Sequence, residues 1–273
     1  MGTNFEFTKE DKQRFRDDPE EFLKYRKVVE ASINSVFRLM LSGSEENRFL
    51  FKLVDSVMRA RLSKDPELAD KLIPKYEIGC RRLSPGDGYL EALQADNAEI
   101  RFDSIQRITE TGIQTDKGIE EFDLIVCATG FNASFIPAWD LVGRDGRRLD
   151  EEWKEKPEAY FSVCAAGIPN YFISVVVKDS VVSDYNIYAQ ENLKRAVWSK
   201  GCHAWYSKKT TGEGVTVTAM YPGSVLHYKA VLRTIRGEHF DIRYNTTNPF
   251  RYLGNGELAF EREKGADLAF YLK

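Results

Sequence analysis

The amino-acid sequence predicts an α/β fold that contains an N-terminal helical hairpin, a small β-meander and a buried strand. Apolar residues recur every three or four positions from Phe22 to Met40, and again from Phe49 to Met58, which indicates two amphipathic helices. Short alternating segments separated by glycine turns follow residue 98 and predict strands. Five consecutive apolar residues at 124–128 predict a strand that is buried on both faces of a sheet.

Local capping signals predict where the helices begin and end. Asp18, followed by Pro19 and two glutamates, predicts the start of the first long helix, and Gly43 its end. Ser44 before two glutamates predicts the start of the second helix. A third, short helix is expected to begin at Asp65 and to end at a proline. Packing alone is a sufficient role for these helices.

The meander is expected to return into a parallel sheet that contains the 124–128 strand. Its predicted strands and the turns between them alternate along one stretch of sequence: strands at 98–102, 105–109 and 113–115, and turns at 110–112 and 116–118.

Composition sets broad limits on function. The 273 residues are 42% hydrophobic and 30% charged, as in ordinary soluble domains. A formal charge of −3 gives no reason to expect nucleic acid or an anionic membrane as partner. No apolar run approaches the roughly 20 residues that cross a bilayer, and the polar N-terminus does not resemble a signal peptide. We therefore expect a cytoplasmic protein.

The four cysteines do not form a metal motif. Cys80, Cys127, Cys164 and Cys202 are far apart in sequence and include no C-x-x-C pair. A zinc site is therefore not predicted, and reduced, partly buried thiols are expected.

Two loops are candidates for a functional site. Thr129 and Gly130 follow the predicted buried strand, and the carboxyl edge of such a sheet is where α/β folds bind cofactors, although many α/β domains contain a strand that ends in glycine. Arg81 and Arg82 lie in a glycine-rich loop. Adjacent arginines are usually solvated, but apolar neighbours on both sides allow one guanidinium to point inward.

The order of these segments resembles the C-terminal portion of a Baeyer–Villiger monooxygenase of the kind found in fungal polyketide pathways. The matching segments cover most of the chain in the same order: Asp18-Pro19-Glu20, Leu72-Ile73-Pro74, Gly79 to Tyr89, Ala128-Thr129-Gly130-Phe131, Pro169-Asn170-Tyr171-Phe172, Val197-Trp198-Ser199, Cys202 to Tyr206, Tyr221-Pro222-Gly223-Ser224 and Leu253-Gly254-Asn255-Gly256. Each motif alone is weak evidence, whereas their shared order is strong evidence for common ancestry.

The resemblance implies a flavoprotein with two dinucleotide-binding domains, which uses NADPH to reduce FAD and inserts oxygen beside a ketone. Arg82 matches the family's catalytic arginine, which holds an anionic peroxide because arginine stays charged near neutral pH. Trp205 matches a tryptophan that helps to hold the nicotinamide cofactor. Thr129 and Gly130 match positions close to FAD.

The resemblance also implies a domain division and shows which parts are missing. Residues 1–75 match a helical subdomain of the NADPH domain, 76–127 the remainder of that domain with the meander, and 128–273 the C-terminal part of the FAD domain, internally shortened near 173–175. The two Gly-x-Gly-x-x-Gly turns that bind pyrophosphates in this family do not occur in these 273 residues. We therefore expect exposed apolar surface and little or no flavin binding by the chain alone.

Three hypotheses remain open. The chain is part of a monooxygenase whose missing half is supplied by a longer gene product or a separate chain, or it is a non-catalytic remnant or accessory protein. A cofactor-free enzyme that uses His203, His227 and Glu91 is a third hypothesis, although nothing groups these residues in the sequence. For Arg82 the structural alternative is a salt bridge with Asp87 or Glu91. The identity of the ketone or polyketide substrate is not predicted.

Overall fold

Helices dominate the N-terminal part of the chain. The computed structural model describes residues 5–82, 84, 86–168, 176–202, 204–210, 214–242 and 247–270. The α-helices, in chain order, are α1 Lys9–Asp17, α2 Pro19–Ser35, α3 Glu45–Arg61, α4 Pro66–Leu72, α5 Tyr89–Ala92, α6 Leu149–Glu152, α7 Asp179–Leu193 and α8 Val225–Leu232. A 3₁₀ helix, Val36–Met40, follows α2 directly. None of the helices in these ranges is long and apolar enough to cross a bilayer.

The predicted helix starts are confirmed because each has a side-chain cap. The Asp18 carboxylate accepts hydrogen bonds from the first-turn amides of α2 at 3.0 Å. The Ser44 hydroxyl accepts from the amide of Asn47 at 3.1 Å in α3, and the Asp65 carboxylate accepts from the amide of Leu68 at 2.9 Å in α4. Helix α1 was not predicted, because its sequence is mostly charged and has no apolar stripe.

The apolar faces of α2 and α3 remain accessible to solvent. The exposed fraction is 59% for Ile33 in α2 and 72% for Phe49 in α3. A side chain with more than half of its surface in water gains little free energy from burial. The described residues do not bury these two faces, which form an extended apolar surface.

All strand pairs in the described part of the chain are antiparallel. Strands β1 Ile105–Ile108, β2 Gly112–Thr115 and β3 Gly118–Glu121 pair consecutively in one three-stranded sheet. The remaining strands form two small pairs, β4 Val176–Val177 with β7 Phe240–Asp241 and β5 Ser207–Thr210 with β6 Gly214–Val217. The predicted strand at 98–102 is not formed, and residues 118–121 form a strand instead. The expected parallel sheet is absent from these residues.

The predicted buried strand at 124–128 is not a strand in the structure. The exposed fractions of Leu124 and Val126 are 79% and 80%, and Phe131 is fully exposed. A strand buried on both faces needs hydrogen-bonded neighbours at its edges and covering elements on its faces. The described residues supply neither, so a sequence typical of a sheet interior lies on the surface.

The buried core is divided into small clusters. One of them joins Cys80 in the first half of the chain to Leu193 at the end of α7, to Val197 and Trp198, and to Val217 in β6. This cluster connects the arginine loop to the C-terminal segments, and it therefore positions the candidate site.

Candidate functional site

The backbone before the two arginines is held by buried side chains. Asn47 is only 2% exposed, and its amide group donates hydrogen bonds to the carbonyls of Leu39 at 2.6 Å and Ile78 at 2.8 Å. The indole N–H of Trp198 donates to the carbonyl of Gly79 at 3.2 Å. The side chains of Asn47 and Trp198 thus fix residues 78–79, because each buried donor has a carbonyl partner there.

Gly79 makes the turn that leads into the arginines. Its φ of +87° lies in the left-handed region, where glycine has no steric penalty. A Cβ at this position would also collide with the sulfur of Met40. The backbone conformation therefore favours glycine at residue 79, and any Cβ there would also force Met40 to move.

Cys80 and Cys202 form a disulfide, so the expectation of reduced thiols is wrong for this pair. Their Cα atoms are 6.2 Å apart, and the bond joins positions separated by 122 residues. Sequence spacing does not determine which cysteines pair, particularly over such a distance. Of the other two, Cys127 is an exposed free thiol and Cys164 a buried one, and burial raises the pKa of the Cys164 thiol.

The two arginines have different environments. The guanidinium of Arg81 donates a hydrogen bond to the carbonyl of Cys202 at 3.2 Å and lies 5.7 Å from the ring centre of Tyr76. Both arginines are exposed overall. The guanidinium of Arg81 nevertheless turns towards Cys202 and Tyr76, as the loop sequence allowed for one residue of the pair.

The structural alternative for Arg82 does not occur in the described part of the chain. Glu91 pairs with Arg61, with 2.7 Å between Nε and Oε1. This contact lowers the pKa of Glu91, mainly through the hydrogen bond from Arg61. No ion pair joins Arg82 to Asp87 or to Glu91 among the described residues.

Trp205 lies three residues after the disulfide and is half exposed. Its ring centre is 5.7 Å from that of Tyr206 and 6.3 Å from that of Phe135. The Cys80–Cys202 bond therefore brings the loop of Arg82 and the loop of Trp205 to one junction.

Thr129 and Gly130 are exposed and do not lie at the end of a strand, contrary to expectation. The sheet whose carboxyl edge they were expected to mark is missing from the described residues. Gly130 has a φ of +86°, which glycine adopts without strain. Their connection to the junction runs through Phe135, five residues later in the chain, which contacts Trp205.

Two of the three acid and base groups of the cofactor-free hypothesis are described, and they have different partners. His227 Nδ1 is 2.8 Å from the hydroxyl of Tyr221, whereas Glu91 pairs with Arg61. His203 lies outside the described residues. The two groups that are described thus have separate partners.

Comparisons with known proteins identify the family. A scan of protein-family models gives no match. The chain is 60% identical to the FAD-binding monooxygenase tazF of Aspergillus terreus, and the match covers all of this chain and 55% of tazF. It is 33% identical to a Baeyer–Villiger monooxygenase of Pseudomonas aeruginosa, with 70% of this chain and 43% of that protein covered.

The chain is a homologue of Baeyer–Villiger-type FAD-binding monooxygenases. A crystal structure of OTEMO in complex with FAD and NADP matches 72% of this chain and 44% of that one, with a TM-score of 0.60 and 26% identity. The likeness supports an α/β flavoprotein fold. The chain spans about half the length of the curated relatives it matches.

The alignment with tazF also shows that residues are missing relative to this homologue. It extends over 309 positions and includes all 273 residues of this chain, a difference of 36 positions. At least 36 residues of tazF therefore have no counterpart here. Residues 173–175, near which the shortening is expected, lie outside the described residues.

Proposed function

We propose that this chain is the C-terminal half of an FAD- and NADPH-dependent Baeyer–Villiger monooxygenase, which inserts oxygen beside a ketone in secondary metabolism. The observation that supports this function most strongly is the 60% identity to tazF along the whole chain. In this proposal residues 1–75 and 76–127 belong to the NADPH domain, and residues 128–273 to the FAD domain. Another polypeptide segment supplies the phosphate-binding turns.

The described residues do not fit FAD without that segment. A pyrophosphate is bound by free amides at a helix N-terminus. In α1, α2, α3 and α8 a first-turn amide is already bound by a side chain, from Thr8, Asp18, Ser44 and Ser224 respectively. Helix α7 begins with the carboxylate of Asp179, which pairs with Arg147 at 2.6 Å. The isolated chain is therefore expected to bind flavin weakly or not at all.

Arg82 is the residue for which we propose the catalytic role. A guanidinium remains charged at any pH near neutrality and offers several donors in a fixed plane, which suits it to hold developing negative charge. The backbone before it is fixed by Asn47, Trp198 and the disulfide, while its side chain is exposed. Trp205, Thr129 and Gly130 are proposed to lie near the cofactors in the assembled enzyme.

Arg82→Lys tests this role in an assembled enzyme, made by producing the chain together with the part of tazF that it does not match. Lysine keeps the charge but loses the planar donors. We expect ketone oxidation to fall at least tenfold while the flavin content is unchanged. Retention of full activity would leave Arg82 with a structural role only. Arg81→Lys is the matched variant, and it should lower thermal stability because Arg81 bonds to Cys202.

A second candidate is a non-catalytic remnant or accessory protein of the same pathway. The 36 missing positions relative to tazF favour it, because an internal deletion removes contacts as well as residues. The two candidates differ in one measurable property: only an enzyme half gains flavin when the unmatched part of tazF is present. The cytoplasm is the proposed compartment for both.

A further inference from the structure

A cleft distant in sequence from Arg82 is lined mainly by aromatic rings. It has a volume of about 420 Å³, which is within the range of small-molecule sites. Helix α7 forms one wall, and residues 160–161, 221–231 and 236–239 form the others. The rings that carry the inference are those of Tyr160, Phe161, Tyr185, Tyr221, His227 and His239.

Two tyrosine–histidine pairs line this cleft. The hydroxyl of Tyr160 is 2.6 Å from Nδ1 of His239, and the hydroxyl of Tyr221 is 2.8 Å from Nδ1 of His227. A neutral imidazole has one donor and one acceptor nitrogen, and a hydroxyl can take either role. Each pair can therefore present a donor or an acceptor to a ligand by changing tautomer.

Phe161 lies between these pairs in an unusual backbone conformation. Its ring centre is 4.6 Å from that of Tyr160, 4.5 Å from that of Tyr185 and 6.4 Å from that of Tyr221. Its φ is +48° and that of Ser162 is +61°, so two consecutive residues other than glycine are left-handed. Such strained backbone is concentrated at ligand sites.

Surrounding contacts hold this geometry in place. The hydroxyl of Tyr228 donates to the carbonyl of Phe161 at 2.8 Å. Gly223 packs beneath the second pair, where a Cβ would lie 2.9 Å from the ring of Tyr221 and 3.1 Å from Nδ1 of His227. The absence of a side chain at residue 223 is thus a condition for the Tyr221–His227 contact.

The charges at the cleft favour a neutral ligand. Asp184 and Arg236 supply one formal charge of each sign to its lining. Burial raises the pKa of Tyr160, Tyr185 and Tyr221, so these hydroxyls remain protonated near neutral pH. Flat aromatic surface with a few polar groups is typical of a site for an aromatic compound that carries a hydroxyl.

We propose that this cleft binds a neutral planar phenol, with its ring against Phe161 and Tyr185 and its hydroxyl bonded to the more exposed of the two pairs, Tyr221–His227. A phenol hydroxyl both donates and accepts, as the pairs require. A fused two-ring compound fits the volume. The site uses only residues of this chain and no flavin, so it does not depend on the proposed monooxygenase function.

Titration of the purified chain with 2-naphthol tests the proposal, with naphthalene and 2-methoxynaphthalene as matched ligands. A net hydrogen bond of about 0.5–1.5 kcal/mol corresponds to an affinity ratio of roughly 2–12, so 2-naphthol should bind more tightly than naphthalene by about that factor. The methyl ether cannot donate and should bind less tightly than 2-naphthol. Equal affinities for the three compounds would overturn the proposal.

Variants test whether the binding occurs in this cleft. Tyr221→Phe keeps the ring and removes the hydroxyl, and Gly223→Ala introduces a methyl group under the pair. Tyr221→Phe should weaken 2-naphthol binding by roughly two- to twelvefold and leave naphthalene binding nearly unchanged. Gly223→Ala should also weaken 2-naphthol binding, because it displaces the pair. Tyr252→Phe is the control, because Tyr252 is 72% exposed outside the cleft. Unchanged 2-naphthol affinity in a folded Tyr221→Phe protein would place the binding elsewhere and refute the assignment.

Discussion

Loss of the Cys80–Cys202 disulfide should strongly destabilise the chain. The bond closes a loop with a sequence separation of 122 residues. In the chain-entropy model, closing a loop of this length removes unfolded-state entropy worth about 5 kcal/mol at 25 °C. At 2–4 °C per kcal/mol for a chain of comparable size, the unfolding midpoint should fall by about 10–20 °C.

Thermal unfolding followed by circular dichroism, with and without reductant, measures this difference. The double variant Cys80→Ala/Cys202→Ala should unfold near the midpoint of the reduced protein and no longer respond to reductant. Cys127→Ala is the control, because Cys127 is an exposed free thiol. Alkylation of the denatured chain before reduction should label two cysteines. Labelling of all four, or identical midpoints with and without reductant, would refute the disulfide and the tether that it provides.

Three further predictions follow from single residues. Asn47→Ala should cost about 2–4 kcal/mol of unfolding free energy in a denaturant titration, because two buried carbonyls lose their donor, whereas exposed Asn255→Ala should change it by less than about 0.5 kcal/mol. Gly79→Ala should cost about 1–3 kcal/mol of unfolding free energy because of the positive φ, and more because of the collision with Met40. Adding Met40→Ala removes the collision only and should restore only part of the stability. Full restoration would show that the positive φ is unimportant. Burial raises the pKa of Tyr185 in the folded state above the ordinary value of 10. Its neutral side chain therefore contributes fully to the stability of the folded chain below pH 10. This contribution is lost as the pH rises from 10 towards the folded-state pKa. Ultraviolet titration should show phenolate appearing together with unfolding above pH 10, and ionisation of all tyrosines near pH 10 in a folded chain would contradict this.

Helix starts could be predicted from the sequence because a cap is a local interaction. Asp18, Ser44 and Asp65 each bind amides two or three residues away, so short sequence patterns are sufficient to identify them. Helix α1 was missed because it is mostly charged and shows no apolar period. The start of each capped helix is therefore encoded within a few neighbouring residues.

The strand at 124–128 shows the limit of local prediction. Its composition indicates a sheet interior, but strand formation depends on neighbours that the described residues do not contain. Exposed Leu124 and Val126, and the exposed faces of α2 and α3, are consistent with a chain that matches only half of its relatives. The sequence of residues 124–128 is suited to the interior of a sheet, and the described residues form no such interior around it.

Long-range pairs at the candidate site could not be predicted for a similar reason. The partner of Cys80 is 122 residues away, and Glu91 pairs with Arg61 on another helix instead of with nearby Arg82. Proximity in sequence favoured Arg82 as the partner of Glu91, but the fold brings Arg61 closer to that carboxylate. The catalytic assignment of Arg82 came from family resemblance and stays a prediction.

The flavin content of the purified chain tests the central claim most directly. The visible absorbance of bound flavin per polypeptide should be close to zero for the chain alone. It should approach one flavin per complex when the chain is produced together with the part of tazF that it does not match. Stoichiometric flavin on the chain alone would contradict the claim that the cofactor-binding turns must come from another segment, and no flavin in either sample would contradict its role as an enzyme half.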